Sequence, residues 1–219
     1  MNIMRIPQAQ AAAFIEKWHY SRRCPTGKNI FFGWMDGAEM YAIADYGIGV
    51  NPYAAAYLAK VTKEKVSNSN LVELKRLCRV EPKRDDLPLT KFLAACHKEL
   101  IKMGYCYIVS FSDPAHGHNG GIYKAASFSH LGQTNEERHV VDVNGVVRHR
   151  RYAFRYARRN SCTIEEARQR LGLKIVKTVR KDRWFKRIAV ASAAKKLNPP
   201  HSLQQPQPKS AAMQVEMDL

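Results

Sequence analysis

The chain has 219 residues, 36 Lys+Arg against 19 Asp+Glu, a net charge of +17 and a hydrophobic fraction of 45%, which suits one globular core with a small appendage and hardly two domains. No run approaches the roughly 18 apolar residues of a membrane helix. The apolar stretch at 11–15 meets Glu16 and Lys17 too early for a secretory signal, and five cysteines without a CxxC pair frame neither disulfides nor a zinc knot. Together these predict a reducing, cytoplasmic setting, and the charge points to nucleic acid as partner, with an anionic membrane surface second.

In chain order, the pattern predicts a helix at about 8–18 and an antiparallel pair, 30–36 and 39–46, turned at Asp36-Gly37. The alternating stretch 71–80 reads as a strand. The helix over 88–103 is the clearest: Leu89, Phe92, Leu93, Cys96 and Leu100 form one stripe, opened by Asp85, Asp86 and Pro88 and stopped by Gly104. A strand at 105–111 completes a βαβ unit with parallel strands. After it come the loop 112–121 and a helix over 122–130 ending near Gly132. A hairpin over 140–147 with Asn144-Gly145 in a tight turn follows, then a helix at 163–171 with Thr163 and Glu166 in capping-box spacing, and a last strand. Central alternation with antiparallel pairs at the edges predicts a mixed α/β or α+β sheet flanked by helices, one domain over 1–196. The Pro/Gln-rich 197–219 reads as a disordered tail.

The loop after the 105–111 strand is the best site candidate, because ligands of open α/β sheets gather beyond the carboxyl ends of strands. It holds Ser112, Asp113, His116, His118 and Asn119 within eight residues. An Asp-Pro turn at a strand end is analogous to the turn that meets a flipped adenine's amine in adenine amino-methyltransferases, although no glycine fingerprint for a methyl donor accompanies it. Asp113 is equally a turn former. His116 and His118 could join Asp113 on a metal, but a His-x-His pair with no third distant ligand is a weak signal. Tyr123, in the first turn of the following helix, could serve as a proton donor, against the commoner role of a packed aromatic. Lys83 and Arg84 could hold a diphosphate at the 88–103 helix entrance, and His19 and Tyr20 are further candidates with a core role as the plainer account.

Between 138 and 187 lie 16 Lys+Arg and four acids, so +12 of the +17 sits there. Arg148, Arg150, Arg151, Arg155, Arg158 and Arg159 fall in one acid-free run interleaved with Tyr152, Phe154 and Tyr156. Helical or extended, the run offers guanidinium forks to phosphates and rings to bases. A merely solvated face is the usual meaning of a charge run, but the missing counter-charges favour nucleic acid. Membrane binding is disfavoured because no apolar helix face accompanies the arginines.

The strings 76–83 (RLCRVEPK) and 110–126 (SFSDPAHGHNGGIYKAA), the His149-Arg150-Arg151 cluster and 180–185 (RKDRWF) together resemble the Mom family of phage DNA-modification proteins, over about 16–185. The resemblance implies a GNAT-like N-acyltransferase fold and a transferase that places a carbamoylmethyl group on the exocyclic amine of adenine, protecting phage DNA from host restriction. It implies a donor diphosphate around Val80, Lys83, Arg84 and Lys91, with Asn119 and Lys124 beside it, Tyr123 as general acid, and iron at Asp113, His116 and His118. The glycine-rich diphosphate loop of acyltransferases is replaced by Lys83-Arg84-Asp85-Asp86-Leu87-Pro88, which argues against coenzyme A as donor. The expectation is therefore double-stranded DNA gripped by the arginine run with Lys181 and Arg183, and an adenine flipped into the mouth above Asp113. The rivals are a non-catalytic DNA-binding protein and a conventional N-acetyltransferase, the latter disfavoured for a +17 chain acting on a polycation.

Overall fold

The computed structural model describes residues 2–47, 53–83, 85–136, 138–149, 151–177 and 180–190. Arg84, Arg150 and the proposed tail lie outside the described residues. The order is β1 (Asn2–Arg5), α1 (Gln8–Trp18), β2 (Asn29–Asp36), β3 (Glu39–Gly47), α2 (Ala54–Thr62), β4 (Leu71–Arg79), α3 (Leu89–Lys102), β5 (Tyr107–Ser112), a 3-10 turn (Pro114–His116), α4 (Gly121–Ala125), β6 (Ser129–Gln133), β7 (Arg138–Val141), β8 (Val147–His149), α5 (Arg151–Arg159), α6 (Ile164–Arg170), β9 (Lys174–Lys177) and β10 (Asp182–Arg187).

Seven strands form one mixed sheet in the order β1-β2-β3-β4-β5-β10-β6; β4 and β5 are parallel and every other neighbouring pair is antiparallel. The parallel pair needs a crossover, and α3 supplies it. Its stripe buries Phe92, Leu93, Cys96 and Leu100 against Ala42, Ala44 and Tyr46 of β3. The residue between them, Ile43, points to the opposite face and packs with Phe14 and Ile15 of α1. Farther along that opposite face, α2 covers Leu71, Tyr107 and Val109 through Leu58. The result is helices on both faces of a mixed sheet, as expected from the alternation of elements.

One irregularity opens the sheet. Asp45 of β3 pairs with Arg76 and Tyr46 with Leu74, so Lys75 is an extra residue, a bulge. The β4–β5 ladder runs only from Leu71↔Tyr107 to Leu74↔Ser110. Beyond it β4 stays with β3 as far as Ala42↔Arg79, and β5 pairs with β10. The two parallel strands therefore part at their carboxyl ends.

Between β6 and β10 the chain leaves the sheet to build a module: the three-stranded sheet β8-β7-β9, with α5 and α6 packed beside it. Val140, Ala153 and Leu173 form its small core. Its stem is clasped where the Thr134 N–H donates to the Lys181 carbonyl at 2.8 Å and the Lys181 N–H to Thr134 Oγ1 at 3.1 Å.

Several expectations are corrected. The helix placed at 122–130 ends at Ala125, because Ser127 takes a positive φ of 59° and Ser129–Gln133 is recruited by β10 as an edge strand. The tight Asn-Gly turn is a wider loop, 142–146, organised by the Asp142 carboxylate, which accepts from the Asn144 and Val146 amides and from Arg148 Nε. Strands β1, β6 and β9 and helix α2 are additional elements. The 148–159 run, open between helix and strand in the sequence, is helical over Arg151–Arg159.

Candidate active site and nucleic-acid interface

The parted ends of β4 and β5 gather side chains from both faces of the sheet. From the α1 face, Tyr20 lies against the rings of His116 and His118, with centroids at 4.6 and 4.7 Å, and against His19 at 4.3 Å. Arg76, in the bulged part of β4, donates from Nη1 to its neighbour Lys75 O at 2.7 Å and from Nε to Arg23 O at 3.4 Å, tying the segment after α1 to the sheet. From the α3 face, Tyr123 of α4 lies 2.8 Å from Ser110 Oγ, which is also 2.8 Å from Leu74 O. A carbonyl only accepts, so when Ser110 donates to Leu74 O the Tyr123 hydroxyl donates to Ser110. A swing of the one Ser110 proton toward Tyr123 frees the phenol proton for a ligand.

Electrostatics match this geometry. His19 is buried and its pKa is lowered to about 4, first by burial and then by Arg76, His118 and His116, so it is neutral at physiological pH. The Ser21 N–H donates to its Nδ1 at 3.1 Å, which leaves the ring proton on Nε2. Burial raises the Tyr20 hydroxyl, with Arg76 opposing and Asp113 adding. Burial likewise raises Tyr123, while Ser110 opposes and Tyr20 adds. Both phenols are thus held protonated. On the other side of Arg76, Asp45 is fully buried with neither carboxylate oxygen hydrogen-bonded, and burial lifts its pKa to about 7 against the pull of Lys75 and Arg76.

Of the residues singled out in the sequence, Asp113, His116, His118 and Tyr123 reach this mouth. Asp113 caps the 3-10 turn by accepting from the Ala115 N–H at 3.1 Å. Ser112 is buried and accepts the Trp184 indole N–H at 2.9 Å, which anchors Trp184 as it stacks on Tyr123 at 5.6 Å. Asn119 accepts from the Gly121 N–H at 3.0 Å, and Lys124 is exposed on α4, a helix of only five residues whose N-terminus makes no anion site. The Val80 N–H extends the ladder to Tyr41 O. Lys83 pairs with Asp85 at 3.2 Å, and Lys91 lines an open cavity of about 760 Å³ with Asp86, Trp34 and Phe92. The sequence from 80 to 89 holds no glycine to let backbone approach a diphosphate. No group of three or more His, Cys, Asp or Glu among the described residues has metal-binding geometry. His116 and His118 are turned onto Tyr20 instead, so the set proposed for iron does not converge.

His19 and Tyr20 are the residues that sequence reasoning underweighted, and Asp45, Arg76 and Ser110 those it missed. A carboxylate inside the apolar run 41–46 was the available signal for Asp45.

On the module, α5 buries only Ala153 and Ala157 and exposes Arg151, Arg155, Arg158 and Arg159. Arg148 is committed to Asp142 at 3.1 Å and to the Tyr152 ring. Arg183 is held by Tyr57, through a 2.8 Å hydrogen bond and its ring, and Lys181 serves the clasp through its backbone. Of these cations, those on α5 are exposed, while Arg148 and Arg183 have partners within the fold.

These features define a mixed α/β protein whose candidate site is a strand divergence lined by tyrosine, histidine and arginine, with a cationic module inserted before the last strand of the sheet. The chain belongs to the Mom protein family, whose sequence model matches residues 1–209. No curated protein matches it. Among solved structures, it is similar to an aminoglycoside 6'-acetyltransferase type Ii, with 12% identity, coverage of 86% of this chain and 98% of the other, and a TM-score of 0.48. It is also similar to the ribosomal-protein-S18-alanine N-acetyltransferase of Escherichia coli, at 11%, 87% and 95%, and 0.47. An N-acyl amino acid synthase from uncultured soil microbes gives 11%, 86% and 95%, and 0.45. Among the described residues no helix is long and apolar enough to cross a membrane.

Proposed function

We propose that the protein is a DNA-modifying transferase that places a carbamoylmethyl group on the exocyclic amine of adenine in duplex DNA, shielding phage DNA from restriction. The observation that carries this reading is the convergence of Tyr20, His116, His118, Arg76 and Tyr123 at the strand divergence, in a chain of the Mom family that also displays the arginine face of α5. The arginines bind phosphate, and an adenine leaves the stack because its paired amine, inside the duplex, is out of reach of side chains fixed at the strand divergence. There the exposed Tyr20 and histidine rings offer stacking surface to the base. The N6–carbon bond forms as the donor's bond to that carbon breaks. Asp113 takes the N6 proton, and Tyr123, released by the turn of the Ser110 hydroxyl, protonates the leaving group.

The test is expression in a bacterium, digestion of cellular DNA to nucleosides and mass spectrometry, with Asp113→Asn as control. A new adenosine species heavier by one carbamoylmethyl group, absent in a variant that still binds DNA, is the expected result. Unmodified adenine beside soluble, DNA-binding wild-type protein would overturn it in favour of protection by occlusion.

A further inference from the structure

Helix α5 inverts the usual economy of an amphipathic helix. Its buried face is two alanines, Ala153 and Ala157, 1% and 4% exposed, set near Ala167 of α6, itself fully buried. Its only purely hydrocarbon ring, Phe154, is left 52% exposed, while Tyr152 and Tyr156 are partly buried. Small residues in the buried face let α5 and α6 approach closely and fix the rotation of α5, so the exposure of Phe154 is built into the packing. At 100° per residue, Arg158, Arg151, Arg155 and Arg159 make a continuous stripe; Phe154 borders it on one side, next to Arg158, and Tyr152 and Tyr156 on the other. A phenyl ring gains nothing from phosphate and has no polar atom to satisfy in water. The ligand this edge fits combines a phosphate backbone with apolar, stackable faces.

We propose that Phe154 is a base-contacting residue: with the arginine stripe seated on the phosphates of duplex DNA, its ring inserts against the bases and unstacks a step. Exposed phenyl rings beside arginines do this work in minor-groove and single-strand binders. The inference rests on the DNA reading of the protein and adds to it the residue through which the module meets the bases.

The experiment uses the full chain and two ligands, a mixed-sequence DNA duplex and inorganic polyphosphate, which carries the charge without bases. F154A should bind polyphosphate as the wild type does. It should bind duplex on the order of tenfold more weakly, with an unchanged dependence of affinity on salt. R155A should weaken both ligands and flatten the salt dependence. In F154W, duplex but not polyphosphate should quench the introduced indole, read as the difference from the response of the wild type, which carries the buried Trp34 and Trp184 and the half-buried Trp18. An F154W emission indifferent to duplex, or an F154A loss equal on both ligands, overturns the role of Phe154 while leaving DNA binding in place. Wild-type protein that binds polyphosphate as tightly as duplex overturns the DNA reading itself.

Discussion

Gly120→Ala is the sharpest test of how the mouth is held. Gly120 has φ of +75°, and a Cβ there would lie 2.1 Å from Trp184 Cζ2, well inside contact. Two costs add: about 1–2 kcal/mol for the left-handed backbone and about 1–3 kcal/mol for displacing a packed ring. Trp184 is 3% exposed, hydrogen-bonded to Ser112 and stacked on Tyr123, so it has little room to yield. The total, about 2–5 kcal/mol, corresponds to a fall in Tm of roughly 4–20 °C for a domain of this size. Gly117→Ala is the internal control, with φ of +73° and nothing within 4 Å of its Cβ, so it pays the backbone cost alone. Thermal and urea unfolding of both variants, with near-ultraviolet circular dichroism for the indole environment, gives the comparison. A Gly120→Ala protein no less stable than Gly117→Ala would refute the argument that Trp184 is the wall behind Tyr123.

Other perturbations follow from the same geometry. Folded Asp45 titrates at about 7 against an ordinary 3.8, so between those values the folded chain keeps a proton that the unfolded chain has released, and its contribution to stability falls as pH rises. Asp45→Asn should therefore gain on the wild type in urea midpoint progressively from about pH 4 to about pH 7; a constant difference would dismiss the buried carboxylate. Thr163→Ala removes the capping box of α6, in which Thr163 Oγ1 accepts the Glu166 N–H at 3.1 Å, and should cost about 1 kcal/mol by denaturant unfolding; an unchanged midpoint would mean that the cap does not hold α6. Arg151→Ala with Arg155→Ala should lower the slope of log affinity against log salt by roughly 2 on any duplex sequence, and an unaltered slope would remove both from the phosphate contacts.

How much of this was visible in the sequence depended on how local the physics was. The α3 stripe, the β2–β3 turn and the Thr163 capping box are decided within a dozen residues, and all three are where their patterns put them. Helix 122–130 failed because its second half is claimed by β10, more than fifty residues downstream, and a strand pairing that distant overrides local helix preference. The site was half legible. Asp113, His116, His118 and Tyr123 stand in one loop and the turn after it, but Tyr20 reaches that loop only once α1 lies on the sheet, with Arg76 close enough to act on His19 and Tyr20. Nothing in the spacing of 20 and 116 announces their meeting. The partners of the cations were hidden for a related reason: Arg148 finds Asp142 and Arg183 finds Tyr57 only in three dimensions.

The clasp at Thr134 and Lys181 has an evolutionary consequence. Because β6 and β10 are already antiparallel neighbours, everything between the two clasping residues hangs from a closed stem, and its removal would leave an ordinary hairpin. The cost of closing the loop is met at that stem and grows only slowly with the length hung from it. A lineage can therefore lengthen, shrink or exchange the cationic module by recombination at one short neck, while the residues lining the strand divergence keep their places.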